Sequence, residues 1–276
     1  MNVSLIIAGD TCPSHAYNEL HDLLRVGLAA HDGARIVADG ADIVHLFGSY
    51  DRATLRLLSW YRRHMIPTVL TICDGLSAFT RYERDPHAPK RGLKAHILRK
   101  ATAVHAMGNE EKDFISSISD TIKTEVIKNP IVTSQCTVDG TIRQFMSLYT
   151  SAIAANDKIV DEYIEGIIKK SEATEPELKS ILYALLHSRY LNNRNLLSDE
   201  CLTKLSRKLT DTVYNEDKLA VCLKSLRIDD YTARLLTLLE SKTMLTEGFM
   251  PIEPSRNPLK QNPMSMPKSK DTKTDQ

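Results

Sequence analysis

Apolar positions fall in short continuous runs over residues 1–135 and at three- and four-residue spacing over residues 136–245. The runs are Val3 to Ala8, Ala41 to Gly48, Ile66 to Ile72, Ala101 to Met107 and Thr124 to Pro130. Continuous β-branched runs of this length predict strands buried on both faces. Between them the period changes. Leu20, Leu23, Leu24 and Leu28 predict a helix from about Ser14 to Ala30, ended by Asp32-Gly33. Asp51 is placed to cap a helix carrying Leu55, Leu58 and Tyr61 on one side. Another helix is predicted from about Pro89 to Lys100, and Asn109 is placed to cap one whose first turn holds Glu110 and Glu111. Strands alternating with helices predict a doubly wound parallel-sheet α/β domain.

The later part reads differently. Only Gly140, Gly166 and Gly248 follow Gly108, whereas a second nucleotide-binding sheet needs glycine at its turns and phosphate loops. Thr174-Glu175-Pro176-Glu177 has capping-box spacing ahead of Leu178, Ile181, Leu182, Leu185 and Leu186, and Ser198 and Asn215 are further N-cap candidates. The expected organisation is an α/β domain over 1–135, an α-helical region over 136–245, and a disordered tail over 246–276 rich in Pro, Lys, Ser, Met and Thr.

Composition narrows the classes. The 276-residue chain is 42% hydrophobic, enough for an ordinary core. A formal charge of +1 offers no global argument for nucleic-acid binding. Five cysteines, with no CxxC pair, predict reduced thiols in a cytoplasmic protein. The N-terminus lacks a signal-peptide pattern, and no stretch has the length of a membrane span. There is no phosphate-loop, dinucleotide-turn, HExxH or GxSxG motif, and the nine histidines lack metal-ligand spacing. No cofactor and no metal are expected.

Ala41-Asp42-Ile43-Val44-His45, Ile66 to Thr71 followed by Asp74-Gly75, Ala103-Val104-His105-Ala106 followed by Asn109-Glu110-Glu111, and Val126-Ile127-Lys128-Asn129-Pro130 stand in one order. That order resembles the N-terminal domain of family 4 glycosyltransferases of the GT-B fold. Ile142 to Tyr149 resembles the terminal GT-B helix that packs back on that domain. The chain departs from the family in its short Gly9-Asp10-Thr11 turn, in Cys73-Asp74 where a histidine is usual, and in Lys128 and Pro130 of the closing strand. It also lacks the donor-binding domain's two glutamates separated by seven residues. The resemblance implies an acceptor-side half without its donor-side partner domain.

Ligands of such sheets bind at the carboxyl ends of the strands. Asp74 is therefore the candidate catalytic residue, orienting an acceptor hydroxyl, with a turn or cap aspartate as the alternative. Gly9, Asp10, Thr11, His45, Gly48, Gly75 and Asn109 are the candidate substrate contacts. A core role for His45 and His105, and a plain tight turn at Gly9, remain open alternatives. Arg52, Arg56, Arg62 and Arg63, with the basic run from Arg81 to Lys100, form either a solvated face or a contact for an anionic membrane or lipid-linked acceptor. The expected partners are thus a protein supplying nucleotide-sugar binding and the inner membrane face, with no nucleic acid. Three functions remain: a partner-dependent transferase in polysaccharide or glycan assembly, an inactive pseudo-glycosyltransferase scaffold, and an unrelated α/β binding protein.

Overall fold

A computed structural model describes residues 1–8, 15–38, 40–73, 91–118, 121–131, 133–171, 173–194 and 196–259. The first part contains β1 (Asn2–Ile7), α1 (His15–Ala29), β2 (Arg35–Ile36), β3 (Ile43–Gly48), α2 (Arg52–Arg63) and β4 (Thr68–Ile72). It continues with α3 (Arg91–Leu98), β5 (Ala103–Ala106), α4 (Asn109–Ile118), β6 (Thr124–Val126) and α5 (Val138–Ile168). All six strands are parallel, in the order β2-β1-β3-β4-β5-β6.

Alternation along each strand divides the core into two layers. Ile43 and Phe47 of β3, Val69 of β4 and Ala103 of β5 pack against Leu20, Leu24 and Leu28 of α1 and against Ile142, Phe145 and Tyr149 of α5. Leu46, Leu70, Ile72 and Val104 point the other way, onto Leu58 of α2, Ile97 and Leu98 of α3 and Ile115 of α4. Burial on both faces explains why the strands read as unbroken apolar runs. The strand order reverses between β1 and β3, and in such sheets ligands bind at that point, beyond the carboxyl ends.

The chain divides into two compact units, one running to Asp157 and the other beginning at Lys158. The division falls inside α5, not at residue 135, because the early turns of that helix belong to the sheet's core. Among the described residues the second unit is helical: the end of α5, α6 (Pro176–Asn193), α7 (Asp199–Asp211), α8 (Glu216–Ser225), α9 (Asp229–Thr243) and a 3-10 turn at Glu247–Phe249. Leu182, Leu202, Leu219 and Leu235 are among its fully buried leucines. Ser198 and Asn215 cap α7 and α8 by accepting the amides of Cys201 and Lys218. Pro176 occupies the first turn of α6, so Glu175 and not Thr174 is its N-cap, and the Glu175 carboxylate pairs with Lys218.

Two further expectations change. β2 has no counterpart in the sequence reading, since two residues carry no period. The proposed disordered tail is held through its first part. The amides of Ser255 and Leu259 donate to the carbonyls of Ala233 and Arg234 on α9, and Thr237 Oγ1 donates to the Ser255 carbonyl at 2.6 Å.

Gly48 ends β3 where α2 begins, and a Cβ there would lie 2.6 Å from Thr54 Oγ1 and 2.7 Å from Thr54 Cγ2. Thr54 cannot move away freely, because its Oγ1 accepts the Ser49 amide and its own amide is held by Asp51. Gly48→Ala is expected to lower stability by roughly 1–3 kcal/mol in urea denaturation, as overpacking does elsewhere. A Cβ at Gly27 would lie 2.5 Å from Ile142 Cδ1 and 2.7 Å from its Cγ1, so Gly27→Ala requires the buried Ile142 to shift.

Candidate functional site

The strands' carboxyl ends hold some of the candidate contacts and exclude others. Gly48 is buried at the β3–α2 turn, where Asp51 Oδ1 caps α2 by accepting the Thr54 amide at 2.7 Å. Asn109 is exposed and is the first residue of α4. The N-cap itself is one residue earlier, since the Gly108 carbonyl accepts the Lys112 amide. Asp74, Gly75, Gly9, Asp10 and Thr11 lie outside the described residues. Cys73 closes β4 and is disulfide-bonded, contrary to the expectation of free thiols throughout, while Cys136, Cys201 and Cys222 are free.

His45 is not at the edge. It sits in the middle of β3, beside Leu5 and Val69, with no exposed surface. Its Nδ1 lies 2.7 Å from Tyr149 Oη on α5, and its Nε2 lies 2.7 Å from Thr71 Oγ1 on β4. Thr71 Oγ1 is in turn 2.8 Å from Nδ1 of His105 on β5, whose Nε2 is 2.9 Å from the Ile127 carbonyl. All four side chains are fully buried.

Chemistry assigns every proton in this chain. The Ile127 carbonyl only accepts, so His105 Nε2 carries hydrogen and, in the neutral ring, Nδ1 accepts from Thr71. The single Thr71 hydroxyl proton is thereby used, so the Thr71 oxygen accepts from His45 Nε2–H. His45 Nδ1 then accepts from the Tyr149 hydroxyl. Burial keeps both rings neutral. It lowers His105 to about 4 against a raising contribution from the Ile127 bond, and holds His45 well below 6.5, with smaller contributions from His105 and His21. Burial likewise raises Tyr149 well above its ordinary value. The arrangement ties α5 to three strands and presents no group to a ligand.

Two residues that the sequence reading did not place at a site lie beyond the sheet's carboxyl edge. Lys94 is 5% exposed, its ammonium 5.5 Å from the Tyr50 ring centroid and 5.4 Å from that of Phe114. Helical spacing signals this, because position 94 shares the face of Ile97 and Leu98. Glu111 is 3% exposed; its Oε2 accepts the Met107 amide at 2.7 Å, and its Oε1 has no hydrogen-bond partner. Burial raises its carboxyl to about 7, opposed by the Met107 bond.

The outer surface of α2 is of one sign. Arg52, Arg56, Arg62 and Arg63 are exposed, and no Asp or Glu occurs in residues 52–73 or 91–109. The Arg62 guanidinium donates to the Arg99 carbonyl beyond α3, so the two helices share this basic face. None of these four arginines has an ion-pair partner among the described residues. A groove of about 200 Å³ opens beside β6, lined by Lys123, Glu125, Gln144, Ser147 and Ser151, and contains none of the candidate contacts. Among the described residues no His, Cys, Asp and Glu cluster suits a metal ion, and no helix is long and apolar enough to cross a membrane. No family profile, curated protein or solved structure matches the chain.

The buried chain makes two measurable demands. Thr71→Val strands a His45 donor and a His105 acceptor, and is expected to cost roughly 2–5 kcal/mol in urea denaturation. Thr71→Ser keeps the hydroxyl and is expected to cost about 1 kcal/mol. The pH dependence follows from the shifted groups. Unfolding lets both histidines take up protons below pH 6.5, whereas folded His105 resists until about 4, so their contribution is lost on acidification through that window. Glu111 acts oppositely: its contribution is complete below 4.5 and lost as pH rises through about 7. Near pH 5.5, unfolding therefore takes up about one net proton from these groups. The stability measured there is expected to fall by about 1.4 kcal/mol per pH unit of acidification.

Proposed function

We propose that the chain is an acceptor-side module related to family 4 glycosyltransferases, acting in polysaccharide or glycan assembly with a partner that supplies nucleotide-sugar binding. The observation that supports this reading is the six-stranded parallel sheet with α5 packed back onto it. A GT-B enzyme holds its donor on a second parallel sheet, and here helices follow the first one. Ile142, Phe145 and Tyr149 pack α5 onto the sheet, and this supports reading that segment as a counterpart of the terminal GT-B helix. Asn109 and the segment holding Asp74 and Gly75 follow β5 and β4 and are the acceptor contacts of this reading.

The unpaired arginines of α2 support a second contact, with an anionic membrane surface or a lipid-linked acceptor. Near an anionic leaflet each arginine contributes about 1 kcal/mol, and the face has no apolar side chain among the exposed large hydrophobics. Attachment is therefore electrostatic and salt-sensitive.

An inactive scaffold is the second reading, and the position of His45 favours it. A residue expected among the substrate contacts is committed at both ring nitrogens to the interior.

Calorimetry with UDP- and GDP-sugars tests the main reading. The isolated chain is expected to show no binding at micromolar donor, and tight binding would contradict the proposal. Co-sedimentation tests the membrane contact. Arg52→Ala combined with Arg56→Ala is expected to weaken binding to anionic vesicles roughly 10- to 30-fold, from about 2 kcal/mol lost. Equal binding of the unmodified protein to neutral and anionic vesicles removes this part of the proposal.

A further inference from the structure

Glu111 stands three residues past the N-cap of α4, where a glutamate ordinarily reaches back to a free amide of the first turn. Here it reaches further, to Met107 at the end of β5, and bridges the turn Met107-Gly108-Asn109 with one carboxylate oxygen. The other oxygen is buried and has no hydrogen-bond partner among the described residues. A charged carboxylate in that position is buried with a single hydrogen bond among the described residues, which is costly, whereas the neutral acid is tolerated. We propose that the Glu111 carboxyl group is a proton-operated clamp on the Met107–Asn109 turn, closed when neutral and released when charged.

Charged and titratable groups stand on each element around Glu111, with the buried Lys94 on the same side of the sheet. α4 packs against α3, β5 and β6. On α4 itself Glu110, Lys112 and Asp113 are exposed. From α3, Lys94 lies over the Phe114 ring and His96 is exposed. His105 of β5 and Glu125 of β6 are register partners on the opposite face of the sheet. Burial is the main cause of the shift to about 7, so the clamp responds near neutral pH. The turn it holds carries Asn109, the exposed residue at the carboxyl edge, so release loosens the edge where such sheets bind ligands. The clamp stands whether or not the chain takes part in glycosyl transfer.

Amide hydrogen exchange on the full chain tests it. After correction for the intrinsic rate at each pH, protection of the Met107 amide is expected to fall roughly tenfold between pH 6 and pH 8. In Glu111→Gln, which mimics the neutral acid, protection is expected to stay constant over the same range. Constant protection in the unmodified protein, or an equal fall in the glutamine variant, overturns the clamp. Carboxyl-carbon NMR of the unmodified protein gives a reading that needs no variant. A Glu111 midpoint near 7 supports the clamp, and one near 4.5 overturns it.

Discussion

Two imidazoles lie in the centre of an apolar sheet, where no water is available to pair their nitrogens. The His45–Thr71–His105 path from Tyr149 to the Ile127 carbonyl meets that requirement with every donor facing an acceptor. Because the carbonyl end only accepts, the direction of all four bonds is fixed. Loss of any member orphans a buried neighbour, and the penalty exceeds the bond's own contribution. The path also spaces the sheet: β3, β4 and β5 are joined through side chains on one face, and α5 is secured by a hydroxyl to that face. The remainder of the layer, from Phe47 to Ile142 and Phe145, packs around this polar line.

That dependence has a functional side. α5 begins in the sheet's core and the division between the two units falls within it. With α5 seated on the α1 face and α2, α3 and α4 on the other, both faces are covered. The carboxyl edge is where such sheets bind ligands. Its character comes from three local features: a cap at Asp51, a nearly buried lysine between two aromatic rings, and an orphaned carboxyl at Glu111.

Local physics was legible along the chain. The strand runs, the helix faces, the caps at Asp51, Ser198 and Asn215 and the helical character of residues 136–245 all follow from spacing and turn chemistry. Nonlocal polar contacts were not. His45 and Tyr149 are 104 residues apart, and nothing in either neighbourhood marks the other as its partner. His45 therefore stood among the candidate contacts, with a core role as the alternative. Lys94 was countable on its helix face but was absorbed into a basic run. Glu111 read as an ordinary first-turn acid, because its orphaned oxygen is a consequence of packing. The tail's composition signals disorder, yet Ser255 and Leu259 find backbone partners on α9 that composition cannot announce.

The direction of the buried hydrogen bonds is read most directly by nitrogen-15 NMR of the imidazole rings. At pH 7 His45 and His105 are each predicted to show a protonated, pyrrole-type Nε2 and a bare, pyridine-type Nδ1. A Nδ1–H tautomer at either ring, or a doubly protonated ring, would contradict the chain as assigned and the neutral core that depends on it.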